Sequence, residues 1–215
     1  MLSSDLLETA ARVKKAHADF LRQAERDFRR RQQYRKEEGI QVVAFCGPGR
    51  HGKDTCGEIW SELTGARYDG SVSRAALPLV ATAMGMSPAE CWETRHRHRM
   101  FWKNFCDVLR LGDPTLLLRM QLATADIVCG IRAKAEFWSG WGEGLIDYVA
   151  WVHRRGFPDD PTYAFQEFDE WETIPQATAS LRGKFLVRND GSLESLRAQL
   201  RNRAIGLGLL QERSQ

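Results

Sequence analysis

Residues 47–55 read Gly-Pro-Gly-Arg-His-Gly-Lys-Asp-Thr, and Gly47, Gly52 and Lys53 have the spacing of a phosphate-cradling loop, G-x-x-x-x-G-K-[ST]. Glycines let successive backbone N–H groups turn inward and approach phosphate oxygens with no side chain in the way. A helix starting just after the loop presents its own free N–H groups and the positive end of its dipole to the same anion. Gly47, Gly49, Arg50, His51, Gly52, Lys53, Asp54 and Thr55 are therefore expected to line a nucleoside triphosphate, with Lys53 reaching the β- and γ-phosphates. The motif departs from its template once. Asp54 stands where Ser or Thr usually ligates Mg²⁺, and the hydroxyl follows at Thr55. Asp54 is expected to hold the metal as a carboxylate, directly or through water, with Thr55 beside it.

Other side chains suit the rest of a phosphoryl transfer. Arg95, Arg99 and Lys103 are spaced by four, so on one helix they would share a side that either holds an acceptor phosphate or simply faces water. Arg132 follows an apolar run, at the kind of strand end where open α/β sheets place ligands, and is expected to be catalytic and to hold the acceptor. Arg154 and Arg155 follow the next such run. They are either a clamp on the transferring group, in a lid, or plain loop charges. A hydroxyl acceptor benefits from a carboxylate that orients or deprotonates it. Asp69 is the candidate, ahead of Ser71 and Ser73, although Asp69-Gly70 is also a turn signal. His96 and His98 lack the i, i+4 spacing of paired metal ligands, and the five cysteines form no C-x-x-C pair, so zinc is not expected.

These residues need elements to position them. Residues 5–38 carry apolar side chains at helical spacing and predict one long helix that stops at Gly39, an N-terminal addition spanning residues 1–39. Its Arg29-Arg30-Arg31 run, with Arg35 and Lys36, is either a solvated face or a nucleic-acid contact. Strands are expected at Gln41–Cys46, Ala66–Asp69, Asp126–Ile131, Asp147–His153 and Lys184–Arg188. Helices are expected after Asp54, from Ser87-Pro88-Ala89-Glu90 to about Leu111, then to about Ala123, and over Leu193–Ala204. Trp138-Ser139-Gly140-Trp141-Gly142 reads as a loop. Strands alternating with helices imply a mostly parallel five-stranded sheet covered on both faces. Residues 40–215 would form this domain, with a lid-like segment at 154–178.

Composition narrows the classes. The 215 residues are 43% apolar with seven tryptophans, which fits one globular domain with a substantial core. No run approaches 18 apolar residues, so no membrane span and no secretory leader are expected. Residues 1–40 account for the net charge of +3, while residues 159–172 hold six acidic side chains and no basic one. The pI alone therefore does not argue for nucleic-acid binding, and the acidic run would repel a DNA backbone.

The Gly-Lys-Asp-Thr ending resembles that of the phage deoxynucleoside monophosphate kinases. So does Asp126–Arg132 with Glu136 four residues on, Val149–Arg155, and Asn189-Asp190-Gly191-Ser192-Leu193. Residues 90–102, rich in arginine and histidine, resemble a phage subfamily that phosphorylates the hydroxymethyl group of 5-hydroxymethyluridine already built into DNA. The resemblance implies a three-layer sandwich of the P-loop NTPase type, with ATP and Mg²⁺ as cofactors. It implies a nucleotide-type acceptor, modified DNA or a free monophosphate, and a place in the host cytoplasm if phage-encoded. It also implies an acid near the end of the strand at residues 126–131, where this chain has Cys129 and Gly130. A non-catalytic nucleotide-binding protein is the third reading.

Overall fold

The computed structural model describes residues 4–158 and 182–211. The lid-like segment expected at 154–178 lies mostly outside them. In chain order, α1 spans Ser4–Glu38, β1 Val43–Cys46, α2 Lys53–Thr64, α3 Val72–Met84, α4 Pro88–Glu93 and α5 Arg99–Gly112. Then come α6 Leu116–Leu122, β2 Ile127–Cys129, α7 Lys134–Gly142, β3 Tyr148–His153, β4 Gly183–Arg188 and α8 Leu193–Gly206.

Among the described residues the four strands form one all-parallel sheet in the order β2-β1-β3-β4. Strand side chains alternate between two cores, as the period of two requires. Ala44, Cys46, Val128, Val149 and Trp151 pack with Phe28 of α1, Leu118 and Leu122 of α6 and Phe137 of α7. Val43, Phe45, Ile127, Cys129, Ala150 and Val152 pack on the opposite face with Ile59 and Trp60 of α2 and Leu196 and Leu200 of α8. The result is a layered α/β fold of Rossmann-like type, helices covering both faces of the sheet. Buried Ile59 and Trp60 each contribute about 1.5–3 kcal/mol to holding α2 against the sheet.

Several expectations need correction. Ala66–Asp69 is not a strand, so the described sheet has four strands rather than five. The segment does run beside β2, and the N–H groups of Asp126 and Ile127 both donate to the Arg67 carbonyl. The Arg67 N–H, however, donates to the Asp126 carboxylate at 3.1 Å, which ends the ladder after one residue. The helix expected from Ser87 to Leu111 is two helices joined by an elbow at residues 94–98. There the chain tightens into i→i+3 bonds, Arg97 N to Thr94 O and His98 N to Arg95 O. On one straight helix Trp92 and Trp102 would lie about 15 Å apart along the axis. The elbow instead brings their rings edge to face at 6.2 Å. Residues 138–142 are the end of α7 rather than a loop. A Cβ on Gly140 would meet Leu118 at 2.4 Å, so glycine there lets α7 and α6 pack closely.

Helix α1 follows its expected bounds and ends at Gly39, φ 67°. Its basic run divides in a way the sequence reading did not foresee. Arg29 and Arg30 pair with Glu25 and Asp27 of the same helix. Arg31 and Arg35 turn inward, both buried, onto the carboxylate of Asp126. Arg31 and Arg35 are thus the latch that fixes α1 to the start of β2. All five cysteines are buried and free. Burial pushes the Cys46 and Cys56 thiols up to about 12, so both are packing residues rather than nucleophiles.

Candidate functional site

The β1–α2 loop lies at the carboxyl end of the sheet, where open α/β folds bind ligands. Gly47, Arg50 and Gly52 have positive φ, at 133°, 65° and 92°. A non-glycine residue in that region is uncommon, and such residues concentrate at ligand clamps. Two glycines are required by space as well as by conformation. A Cβ on Gly47 would come within 2.2 Å of the Val152 carbonyl oxygen, and one on Gly52 within 2.2 Å of Asn189 Nδ2.

Neighbouring strand ends brace the loop. His51 is fully buried, and its Nδ1 accepts from the Arg154 N–H at 3.0 Å. Its carbonyl accepts from Asn189 Nδ2 at 3.0 Å, while the Asn189 N–H donates to the His153 carbonyl. The Arg155 N–H donates to the Asp190 carboxylate. Arg154 through its backbone and Asn189 through its side chain therefore meet the loop, and Arg155 and Asp190 tie the two strand ends to each other. The Arg154 guanidinium lies over the Phe157 ring, 5.3 Å from its centroid.

Lys53 opens α2, and its Nζ donates to the Pro48 carbonyl, folding the ammonium back over the loop. Burial lowers its pKa. The charge of Arg132 adds to that lowering, while Asp54, Cys129 and Cys46 oppose it. Arg132, half-buried after β2, is near enough for its charge to act on Lys53. Asp54 is exposed and accepts from the Tyr68 hydroxyl at 2.8 Å, with Thr55 next along the helix. Burial first, then Cys129 and Asp54, raises the Tyr68 pKa, so the phenol stays a donor to the carboxylate.

No acid stands at Cys129 or Gly130; the carboxylate that meets the segment after β2 is Glu136 of α7, which is fully buried. Glu136 occupies the third position of that helix and reaches back to accept from the Arg132 N–H at 3.3 Å, in the manner of a capping box. The same oxygen accepts from Arg110 Nε of α5 at 2.9 Å. Glu136 is fully buried, and its Oε1 has no hydrogen-bond partner. Burial raises its pKa, against the lowering pull of Arg110. The Arg-x-x-x-Glu spacing was visible in the sequence, but the role of Glu136 was not, because Arg110 comes from a distant helix.

Not every expected residue joins this group. Asp69 follows Tyr68, and adjacent residues of an extended segment point to opposite faces. Tyr68 turns toward α2, and Asp69 lines a cavity of about 250 Å³ with Phe20, Arg74, Pro78 and Met120. Ser71, at the start of α3, lies beside Gly130 and is nearer the carboxyl end of β2. Arg95, Arg99 and Lys103 do not form one stripe, because Arg95 belongs to the elbow and stacks on Trp92 at 3.9 Å. Lys103 is paired with Asp107 at 2.8 Å.

The residues present would suit a polyphosphate: three loop positions have positive φ, α2 starts directly after the loop, and the half-buried Lys53 ammonium lies against it. Among the described residues no three His, Cys, Asp or Glu side chains gather as a metal cage. A divalent ion here would use Asp54 or Thr55 and take the rest of its shell from phosphate and water, as Mg²⁺ commonly does. No described helix is long and apolar enough to cross a membrane. Comparison of the chain with protein-family models, with curated proteins and with solved structures returns no match.

Proposed function

We propose that this protein is an ATP-dependent kinase that phosphorylates the hydroxymethyl group of 5-hydroxymethyluridine within phage DNA, a step in DNA hypermodification in the host cytoplasm. The observation that carries the kinase reading is the β1–α2 loop, with Gly47, Arg50 and Gly52 at positive φ and Lys53 at the head of α2. ATP supplies the transferable phosphoryl group. Lys53 and the loop amides would hold its phosphates, Asp54 or Thr55 its Mg²⁺, and Arg132 the acceptor side, compensating negative charge as it shifts. Glu136 would orient Arg132 through its backbone. The acceptor reading is supported by the exposed arginines of the elbow, linked through Trp92 and Arg74 to the start of α3, which adjoins Gly130.

A kinase for free deoxynucleoside monophosphates is the second reading. It is favoured by the half-buried setting of Arg132 beside Lys53, which suits one small phosphate better than a strand. A non-catalytic nucleotide-binding protein is the third, since the Asp54 carboxylate is engaged by Tyr68. The test offers γ-labelled ATP and Mg²⁺ with either DNA containing 5-hydroxymethyluridine or a mixture of free monophosphates. Label in the DNA is the expected result. Label only in diphosphates would transfer the assignment to the second reading, and bound ATP with no labelled product to the third.

A further inference from the structure

The elbow between α4 and α5 exposes a run of long polar side chains. Arg95, His96, Arg97 and Arg99 are all exposed. Among the described residues no carboxylate pairs with Arg95 or Arg97, although Glu90 and Glu93 are exposed on α4 just before them. The Trp92 ring carries two guanidiniums, Arg95 at 3.9 Å and Arg74 at 5.0 Å. Stacked this way, a guanidinium keeps its N–H edge for an oxyanion while its face rests on the indole. Arg74 lies one turn into α3, whose first residues adjoin Gly130 at the end of β2. The cluster is therefore anchored at the same end as the β1–α2 loop.

Beside the cations lies apolar surface. Met100 is 63% exposed and Phe101 41%, and the Phe101 ring stacks on Phe105 at 5.9 Å. Val108 and Leu111 continue the exposed apolar face along α5. A duplex shows a protein phosphates and groove edges, with its base faces hidden. A single strand shows phosphates together with unstacked base faces, which aromatic and apolar side chains can cover. A cationic elbow followed by an exposed aromatic and aliphatic face matches the single strand. Helix α5 then leads about 16 Å, at 1.5 Å per residue, from Arg99 to Arg110, whose guanidinium shares Glu136 with the Arg132 backbone.

We propose that the α4–α5 elbow and the adjoining face of α5 bind single-stranded nucleic acid, with Arg95 and Arg97 on phosphates and Phe101 stacked on a base. That the bound strand is the acceptor, delivered unpaired to Arg132, rests on the DNA-kinase reading above; the binding itself does not.

The test is fluorescence anisotropy of the full chain with a labelled 12-nucleotide oligothymidylate, a 12-base-pair duplex and polyglutamate, each over a salt series. The single strand is expected to bind at least tenfold more tightly than either alternative. Replacing both Arg95 and Arg97 by Ala should reduce the slope of log affinity against log salt by about 1.4, the value for two phosphate contacts on a single strand. Phe101→Ser should weaken the single strand about 5- to 150-fold, the range for one stacked base, and leave duplex affinity unchanged. Phe101→Leu, which keeps the packing against Phe105, should show the same selective loss. Equal affinity for duplex or polyglutamate, or single-strand binding indifferent to both Phe101 variants, would overturn the proposal. Phosphoryl transfer by the wild type is followed in parallel. Binding with no transfer sinks the kinase reading alone, and transfer to DNA without the selective losses sinks the platform alone.

Discussion

The two ends of the sheet use charge in opposite ways. At the amino end, Asp126 accepts from Arg31 at 2.5 Å, from Arg35 and from the Arg67 N–H. Arg35 also donates to the Leu122 and Ala125 carbonyls. Asp147 accepts from the Val42 N–H at 2.8 Å and pairs with Arg182. These charges meet partners within the chain, and the Arg31–Arg35–Asp126 group is buried. At the carboxyl end the backbone is held at positive φ, burial and the charge of Arg132 both lower the Lys53 pKa, and a buried carboxylate oxygen of Glu136 has no hydrogen-bond partner. A satisfied network fixes architecture. Residues held in sparsely populated backbone conformations and perturbed ionisable groups cluster at functional sites, which makes the carboxyl end the candidate.

Breaking the amino end should cost stability and spare chemistry. Asp126→Ala leaves Arg31 and Arg35 buried without their carboxylate, so unfolding in urea should show a loss of about 3–5 kcal/mol. Nucleotide affinity of the fraction that stays folded should not change. A loss of less than 1 kcal/mol would mean that the latch contributes little to stability.

Altering the carboxyl end should do the reverse. Gly52→Ala forces a side chain into φ 92° and into Asn189 Nδ2, displacing that amide from the His51 carbonyl. Backbone strain of about 1–3 kcal/mol at this point should appear as a tenfold to hundredfold loss in nucleotide affinity, measured by calorimetric titration. Unchanged affinity would show that the loop tolerates a different course.

The smallest expected effect is on pH dependence. Burial lowers the Lys53 pKa below 10.5, so the folded protein gives up this proton before the unfolded chain does. Stability contributed by this group therefore rises as pH climbs from the lowered value toward 10.5. A bound polyphosphate needs the protonated form, so its affinity should fall over the same climb. Lys53→Arg should keep binding constant there, because guanidinium stays charged. A fall of equal size in that variant would assign the titration elsewhere.

Much of this contrast could be read from the sequence at one end only. The Gly-x-x-x-x-Gly-Lys spacing is local, and the strand, loop and helix around it fall in the expected order. Helix α1 and the two strands after Asp126 and Asp147 were likewise written in their own periodicity. What could not be read was contact between distant segments. Arg31 and Arg35 looked like a surface run, because their partner lies 95 and 91 residues away. Glu136 had a visible spacing to Arg132, but its pairing with Arg110 depends on how α5 packs. The elbow was missed because no Gly or Pro marks residues 94–98, and the contact it permits, Trp92 on Trp102, joins residues ten apart in the chain. Asp69 was expected at the site as a carboxylate following a second strand; Ala66–Asp69 is not a strand, and Asp69 lines a cavity with Phe20, Arg74, Pro78 and Met120.

The central claim is that the β1–α2 loop holds a triphosphate through Lys53. The direct measurement is calorimetric titration of MgATP into the wild type and into Lys53→Ala, with thermal unfolding of both run alongside. The account predicts saturable one-site binding by the wild type and a loss of about tenfold to a hundredfold in Lys53→Ala, as for removal of a hydrogen bond to a charged group. The melting temperature should hold or rise, since a buried ammonium has been removed. Equal affinity in both proteins, or no binding by the wild type, would contradict it.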